Sequence, residues 1–243
     1  MNFSSTKLKL IIGALYLLVL FVGLYFLFYF IDLRDLTSYE LIRSNQDTII
    51  RYKNNNLLFL TLSFFIFSVI WYLLLGFASP ILIFSGFVFG KWFGILIALL
   101  SATFGTTLLY LLAKLFFADL VKQKLEKKFS NFKNSFQKKE LFYFSVFRFM
   151  GGGGIPFGIQ NILPIIFNIS TKNYFLGTLL GCGPPMFVTV ALGAGIENFI
   201  EKNEEPSFFK IITYPDIYLP IIGFMVVAIL GIILKKIFFN KKQ

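Results

Sequence analysis

The side chain best placed to do chemistry is Arg148, a cation inside the almost wholly apolar stretch 141–195. Shortly after it come four consecutive glycines, Gly151, Gly152, Gly153 and Gly154, then Pro156, Gln160 and Asn161. An isolated arginine costs about 2.5–3.5 kcal/mol at the bilayer centre on insertion scales, so an arginine beside a broken helix at membrane depth marks a functional site. The chemistry indicated is phosphate recognition. A guanidinium matches phosphate geometry, the glycines offer bare backbone amides, and interrupted helix ends present unsatisfied donors. Gln160 and Asn161 add amides suited to a glycerol or sugar. Two plainer roles stand beside these: Arg148 snorkelling to the interface, and Asn161 capping the helix break.

Catalysis finds little to work with. The chain has no histidine and one cysteine, Cys182, inside an apolar segment. That excludes a histidine base, a His/Cys metal cluster and a disulfide framework, and Cys182 reads as a small packing residue. No nucleophile–base pair can be assembled from the intramembrane residues, so no catalytic residue, metal or cofactor is expected.

Of 243 residues, 57% are hydrophobic and 14% charged, with a mean hydropathy of +0.77. Soluble domains carry about 25% charged residues, so the class is an all-α, multi-pass membrane protein. The net charge of +11 comes from lysines that flank apolar spans, which is a topology signal and not a nucleic-acid footprint.

The elements that must position Arg148 follow in order. The region 1–56 holds a first span, 8–31, too long for a cleaved signal segment, and a charge-balanced outer loop with a short surface helix near 38–52. The stretch 57–92 is apolar but interrupted at Gly76, Pro80, Gly86 and Gly90, and 93–115 is a clean span. A lysine-rich amphipathic linker, 118–140, leads to limbs at 141–168 and a span at 173–195. The region 197–243 holds an acidic loop, in which Glu197 and Glu201 are solvated, a last span and a basic tail.

From 114 to 140 there are eight basic residues against three acids, whereas 197–216 has two lysines against five acids. The positive-inside rule places both termini and the linker in the cytoplasm and the acidic loop outside. Parity then makes 57–92 and 141–168 re-entrant hairpins entering from opposite faces. Residues 57–78 are also long enough to span alone, which would put the linker outside, against that rule.

The two halves share an order: hairpin with Pro80, then a span with Ala102-x-x-Gly105; hairpin with Pro156, then a span with Gly181-x-x-Pro184. Pro80 to Gly105 is 25 residues and Pro156 to Pro184 is 28. Interrupted apolar segments in matching positions point to an inverted repeat, here a domain over 57–196 with a terminal helix on either side. Gly86, Gly90 and Gly94, and Gly177 with Gly181, are spaced to put small residues on one helix face. Lys91 and Trp92 read as interface anchors.

These residues resemble the DedA superfamily, in particular its SNARE-associated Golgi protein or VTT-domain branch. Pro80, Gly86, Gly90, Gly94 and Gly105 are similar to its first repeat. Arg148, Pro156, Asn161, Gly177, Gly181 and Pro184 are similar to its second. The resemblance implies two opposed re-entrant hairpins and movement of lipids between leaflets, by phospholipid scrambling or recycling of lipid-phosphate carriers. This chain departs from the pattern in three ways. Gly151 stands where the family has proline, the arginine-to-proline spacing is about two residues longer, and 57–92 holds none of the carboxylates of the DedA branch proper.

The leading expectation is a lipid scramblase or flippase using a polar groove between the hairpins. A secondary transporter of a small anion or proton-coupled solute, and a non-transporting membrane scaffold, are the alternatives. Expected partners are membrane lipids, anionic headgroups along the linker lysines from Lys122 to Lys139, and a second copy of the chain. The expected location is the plasma membrane of a bacterium.

Overall fold

The computed structural model describes residues 39–74, 76–119, 121–123 and 139–201, with isolated positions in 13–25, at 136 and in 215–229. The first and last expected spans, most of the linker and the acidic loop fall largely outside the described residues. The described segments are helical, and no strand occurs among them.

Helix α1, Tyr39–Leu73, is continuous across the expected loop–span boundary but kinks at Asn56. Its apolar part buries one stripe, Phe64, Ser68 and Tyr72, at the four-residue spacing of a helix face. Leu58, Phe59, Leu62, Ile66 and Phe67 point outward and are exposed. Water would not tolerate so continuous an apolar surface, whereas hydrocarbon suits it. Asn55–Leu73, Ala78–Phe116 and Thr171–Gly195 are each long and apolar enough to cross a membrane.

After α1 the chain turns sharply. Trp71 Nε1 donates to Phe77 O at 2.7 Å, and a Cβ on Gly76 would lie 2.2 Å from the Trp71 ring nitrogen, so only glycine lets the indole close the turn. Helix α2, Ala78–Phe116, carries Pro80 in its first turn, where proline lacks no needed donor. α2 is two helices joined at Gly90, whose φ of +75° and ψ of 173° belong almost exclusively to glycine.

Ser85 Oγ donates to Gly94 O at 2.8 Å. In an unbroken helix nine residues would separate them by about 13.5 Å, so the chain reverses at Gly90. The first arm of α2 also runs back along α1, since Trp71 meets Phe77 while Phe64 packs on Phe84 and Phe89. This corrects the single glycine face expected for Gly86, Gly90 and Gly94. Gly90 is the reversal, Gly94 faces Ser85, and Gly86 faces another helix.

That other helix is α5. The second half comprises α3 (Glu140–Phe149), a 3-10 turn at Gly151–Gly154, α4 (Phe157–Ile162), a 3-10 turn at Leu163–Ile165 and α5 (Thr171–Glu201), which runs through Pro184 and Pro185. A Cβ on Gly86 would lie 1.9 Å from Val190 O, and one on Gly193 2.1 Å from Ile83 O. The two backbones therefore touch directly at reciprocal notches. The second arm of α2 and α5 run antiparallel, with Trp92 against Phe187, Phe104 against Phe175 and Tyr110 against Tyr174.

One contact occurs twice. A Cβ on Gly105 would fall 2.6 Å from Val69 O and 2.7 Å from Tyr72 Cβ; on Gly181 it would fall 2.4 Å from Ser145 O and 2.6 Å from Arg148 Cβ. The pairs Val69/Ser145, Tyr72/Arg148, Pro80/Pro156 and Gly105/Gly181 all differ by 76 residues. The register thus pairs Gly105 with Gly181, each 25 residues past its proline, and not with Pro184 as the sequence intervals suggested.

Candidate functional site

Arg148 sits in the last turn of α3 and is 1% exposed. It turns inward, away from any interface, because Gly181 removes the side chain that would keep α5 from its Cβ. Nη1 donates to Asn161 Oδ1 at 2.8 Å and Nη2 to the Tyr174 hydroxyl at 2.6 Å. That hydroxyl donates in turn to Asn161 O at 3.1 Å. The guanidinium carbon lies 5.1 Å from the Phe144 ring centre, 5.3 Å from Tyr174 and 5.9 Å from Phe157. Aromatic faces attract cations most when desolvated.

All these partners are neutral. Among the described residues no carboxylate pairs with Arg148. Two donors of the cluster, Arg148 Nε and Asn161 Nδ2, are buried without an acceptor. A buried cation with no counter-ion and spare donors costs several kcal/mol, so the arrangement is complementary to an anion with several acceptor oxygens.

The tetraglycine forms the turn that separates α3 from α4. Gly151 and Gly152 have φ of +61° and +67°. A Cβ on Gly152 would fall 2.2 Å from Gln160 Cδ, so the glycine makes room for that side chain. Gln160 is buried, and its Nε2 donates to Gly151 O at 2.8 Å and to Ile155 O at 2.5 Å. Its donor group staples the turn and is not free for a ligand, which corrects the headgroup-binding role expected of Gln160. Pro156 is the N-cap of α4, in extended conformation, and aims that helix so that Asn161 faces Arg148. The side chains at Gly153 and Gly154 fall outside the described set.

Sequence reasoning missed the tyrosines. Tyr174 is wholly buried, takes one Arg148 bond and stacks on Tyr110 at 4.3 Å. Tyr110 donates its hydroxyl to Ile169 O. Tyr174 opens a predicted span, where an aromatic reads as a belt residue, and no local signal set it apart.

At the foot of the site Glu140 Oε2 accepts from Ser170 N (3.1 Å), Ser170 Oγ (3.0 Å) and Asn173 Nδ2 (2.7 Å), a carboxylate on the α5 N-terminus. Burial raises the Glu140 pKa, but the bonds from Asn173 and Ser170 outweigh it and hold the carboxyl below its usual value. Nearby an open groove of about 590 Å³ runs between Lys139, Leu141, Phe142, Ser145, Asn173 and Leu180. Ser145 lies almost one turn before Arg148.

Residues 77–195 match the VTT domain. The chain is 24% identical over 173 residues to the "Transmembrane protein 41 homolog" of Caenorhabditis elegans, covering 69% of this chain and 68% of that protein. No solved structure matches it. With its apolar helices long enough to cross a membrane and a VTT domain over the paired contacts described above, this chain belongs to the VTT-domain membrane proteins.

Proposed function

We propose that the protein moves phosphate-bearing lipids between leaflets, as a phospholipid scramblase or lipid-phosphate flippase, with Arg148 meeting the phosphate. The observation that carries this reading is the buried Arg148, held only by neutral partners and flanked by the unpartnered donors Arg148 Nε and Asn161 Nδ2. Replacing Asn161 Oδ1 and the Tyr174 hydroxyl with phosphate oxygens keeps the guanidinium saturated and frees both groups to donate to the same anion. Entry of a headgroup therefore exchanges hydrogen bonds without stranding a charge.

The 76-residue offset and the antiparallel run of α2 and α5 support an inverted repeat, each half a re-entrant hairpin followed by a spanning helix. The two hairpins then enter from opposite faces and meet where Tyr72 packs on Phe157, 5.8 Å between ring centres. On this reading the cytoplasmic side holds both termini and the linker, whose lysines lie on anionic headgroups of the plasma membrane. The apolar groove beside Lys139 admits acyl chains while the headgroup approaches Ser145. The described state is closed over Arg148, so transfer requires α3 and α5 to part at Gly177 and Gly181, where they touch.

Dithionite quenching of a fluorescent phospholipid in proteoliposomes tests the reading. Wild type should expose inner-leaflet lipid with no ion gradient, and Arg148→Gln should not. Exposure only under an ion gradient favours the secondary transporter. Equal behaviour of wild type, variant and empty liposomes overturns lipid movement.

A further inference from the structure

The 76-residue offset places Tyr72 where the second half has Arg148. Each lies in the last helical turns before a hairpin tip, each is packed against the glycine of the following long helix, and each is almost completely buried. Arg148 spends its donors in the cage described above. The Tyr72 hydroxyl has no partner at all, nor has Ser68 Oγ one turn earlier on the same face. In the second half the position of Ser68 is taken by Phe144, which stacks under the guanidinium. The first half thus carries a neutral hydroxyl pair where the second carries a cation over a ring.

A buried hydroxyl without a partner is costly, and replacing it with hydrogen is near neutral or stabilising. Its position answers what it could serve. The Phe157 ring lies 5.8 Å from the Tyr72 ring and 5.9 Å from the Arg148 guanidinium carbon. Tyr72 and Arg148 therefore flank one ring and stand within about 12 Å of each other. A phosphate released by Arg148 toward the other half meets this hydroxyl once Phe157 moves aside.

We propose that Tyr72 is the first half's counterpart of Arg148, a second hydrogen-bonding station for the same phosphate group, with Phe157 as the divider between the two. The proposal rests on lipid movement as read above. The hydroxyl donates to a phosphate oxygen, and Ser68 relays to the hydroxyl from the preceding turn. The neutral station binds weakly and Arg148 binds tightly, an asymmetry that suits loading from the Arg148 side.

The test uses Tyr72→Phe, which removes one oxygen and keeps the ring, in the full-length protein. Transfer of fluorescent phospholipid should slow about tenfold, the scale of one hydrogen bond to a charged group. The melting temperature should hold or rise. Titration of short-chain phosphatidic acid into the detergent-solubilised protein should show weaker binding to Tyr72→Phe, and inorganic phosphate should bind neither form. If Tyr72→Phe transfers within twofold of wild type while Arg148→Gln is inactive, the station is refuted and the wider reading stands. A fall in rate that merely tracks a fall in melting temperature refutes it also, as a packing effect. Equal binding of inorganic phosphate, weakened by Tyr72→Phe, overturns the lipid as its source. A wild type that transfers nothing overturns both proposals.

Discussion

Arg148→Gln separates a binding arginine from a structural one by the sign of its effect on stability. The substitution breaks two charge-assisted bonds, to Asn161 Oδ1 and the Tyr174 hydroxyl, a loss of about 3–6 kcal/mol at 1.5–3 each. It also removes a buried cation that no carboxylate neutralises, and the desolvation recovered is several kcal/mol. The two nearly cancel, so stability should change by less than about 2 kcal/mol in either direction. At about 2–4 °C per kcal/mol for a chain of this size, the melting temperature in detergent should move by only several degrees. Transfer depends on the lost pair without any offset, so its rate should fall by about 100-fold or more. Arg148→Lys should fall between, since it keeps the charge and loses the planar fork. A drop in melting temperature of about 10 °C or more, the signature of a broken buried pair worth 3–5 kcal/mol, with activity tracking folded protein, refutes the reasoning.

Gly181→Ala should destabilise by about 1–3 kcal/mol, because the added methyl meets Ser145 O and Arg148 Cβ, neither of which is a flexible chain end. Gly105→Ala should cost a similar amount through Val69 O and Tyr72 Cβ; thermal melts of both variants check the equivalence of the two halves. Gly90→Ala meets no atom within 4 Å, so its cost of about 1–3 kcal/mol comes from backbone conformation alone, and an unchanged melting temperature would mean the chain does not reverse there. The lowered Glu140 pKa means its contribution is present above the unfolded value of about 4.3 and is lost as pH falls through the folded value. Melting temperature should therefore be flat from pH 7 to about 5 and fall below it, less steeply in Glu140→Gln.

The break around Arg148 was legible because glycine and proline act locally. Four glycines and a proline cannot continue a helix, and the structure puts its 3-10 turn on those glycines with Pro156 capping the next helix. Gly90 was misread for the opposite reason. Glycines at four-residue spacing fit a close-packed helix face, and nothing in the local sequence says that the middle one takes a positive φ. Only the contact of Ser85 with Gly94, across the reversal, distinguishes the two cases.

The same limit hid half of the site. Arg148 and Asn161 stood out by type, whereas Tyr174 and Phe144 are ordinary aromatics in a chain with 11 tyrosines and 34 phenylalanines. What selects them is long-range register: Gly177 brings Phe144, and Gly181 brings Arg148, against α5, and Tyr174 lies one turn before Gly177 on the same helix. That register also explains why the interval from Pro156 was first taken to Pro184. A proline inside a span is conspicuous in sequence, yet α5 continues through Pro184 and Pro185 unbroken. The glycine three residues earlier is what sets the distance between helices. In a membrane, where burial of apolar surface does not by itself draw helices together, close backbone approach decides which polar side chains share a cage. Small residues therefore determine the site as firmly as the arginine that fills it.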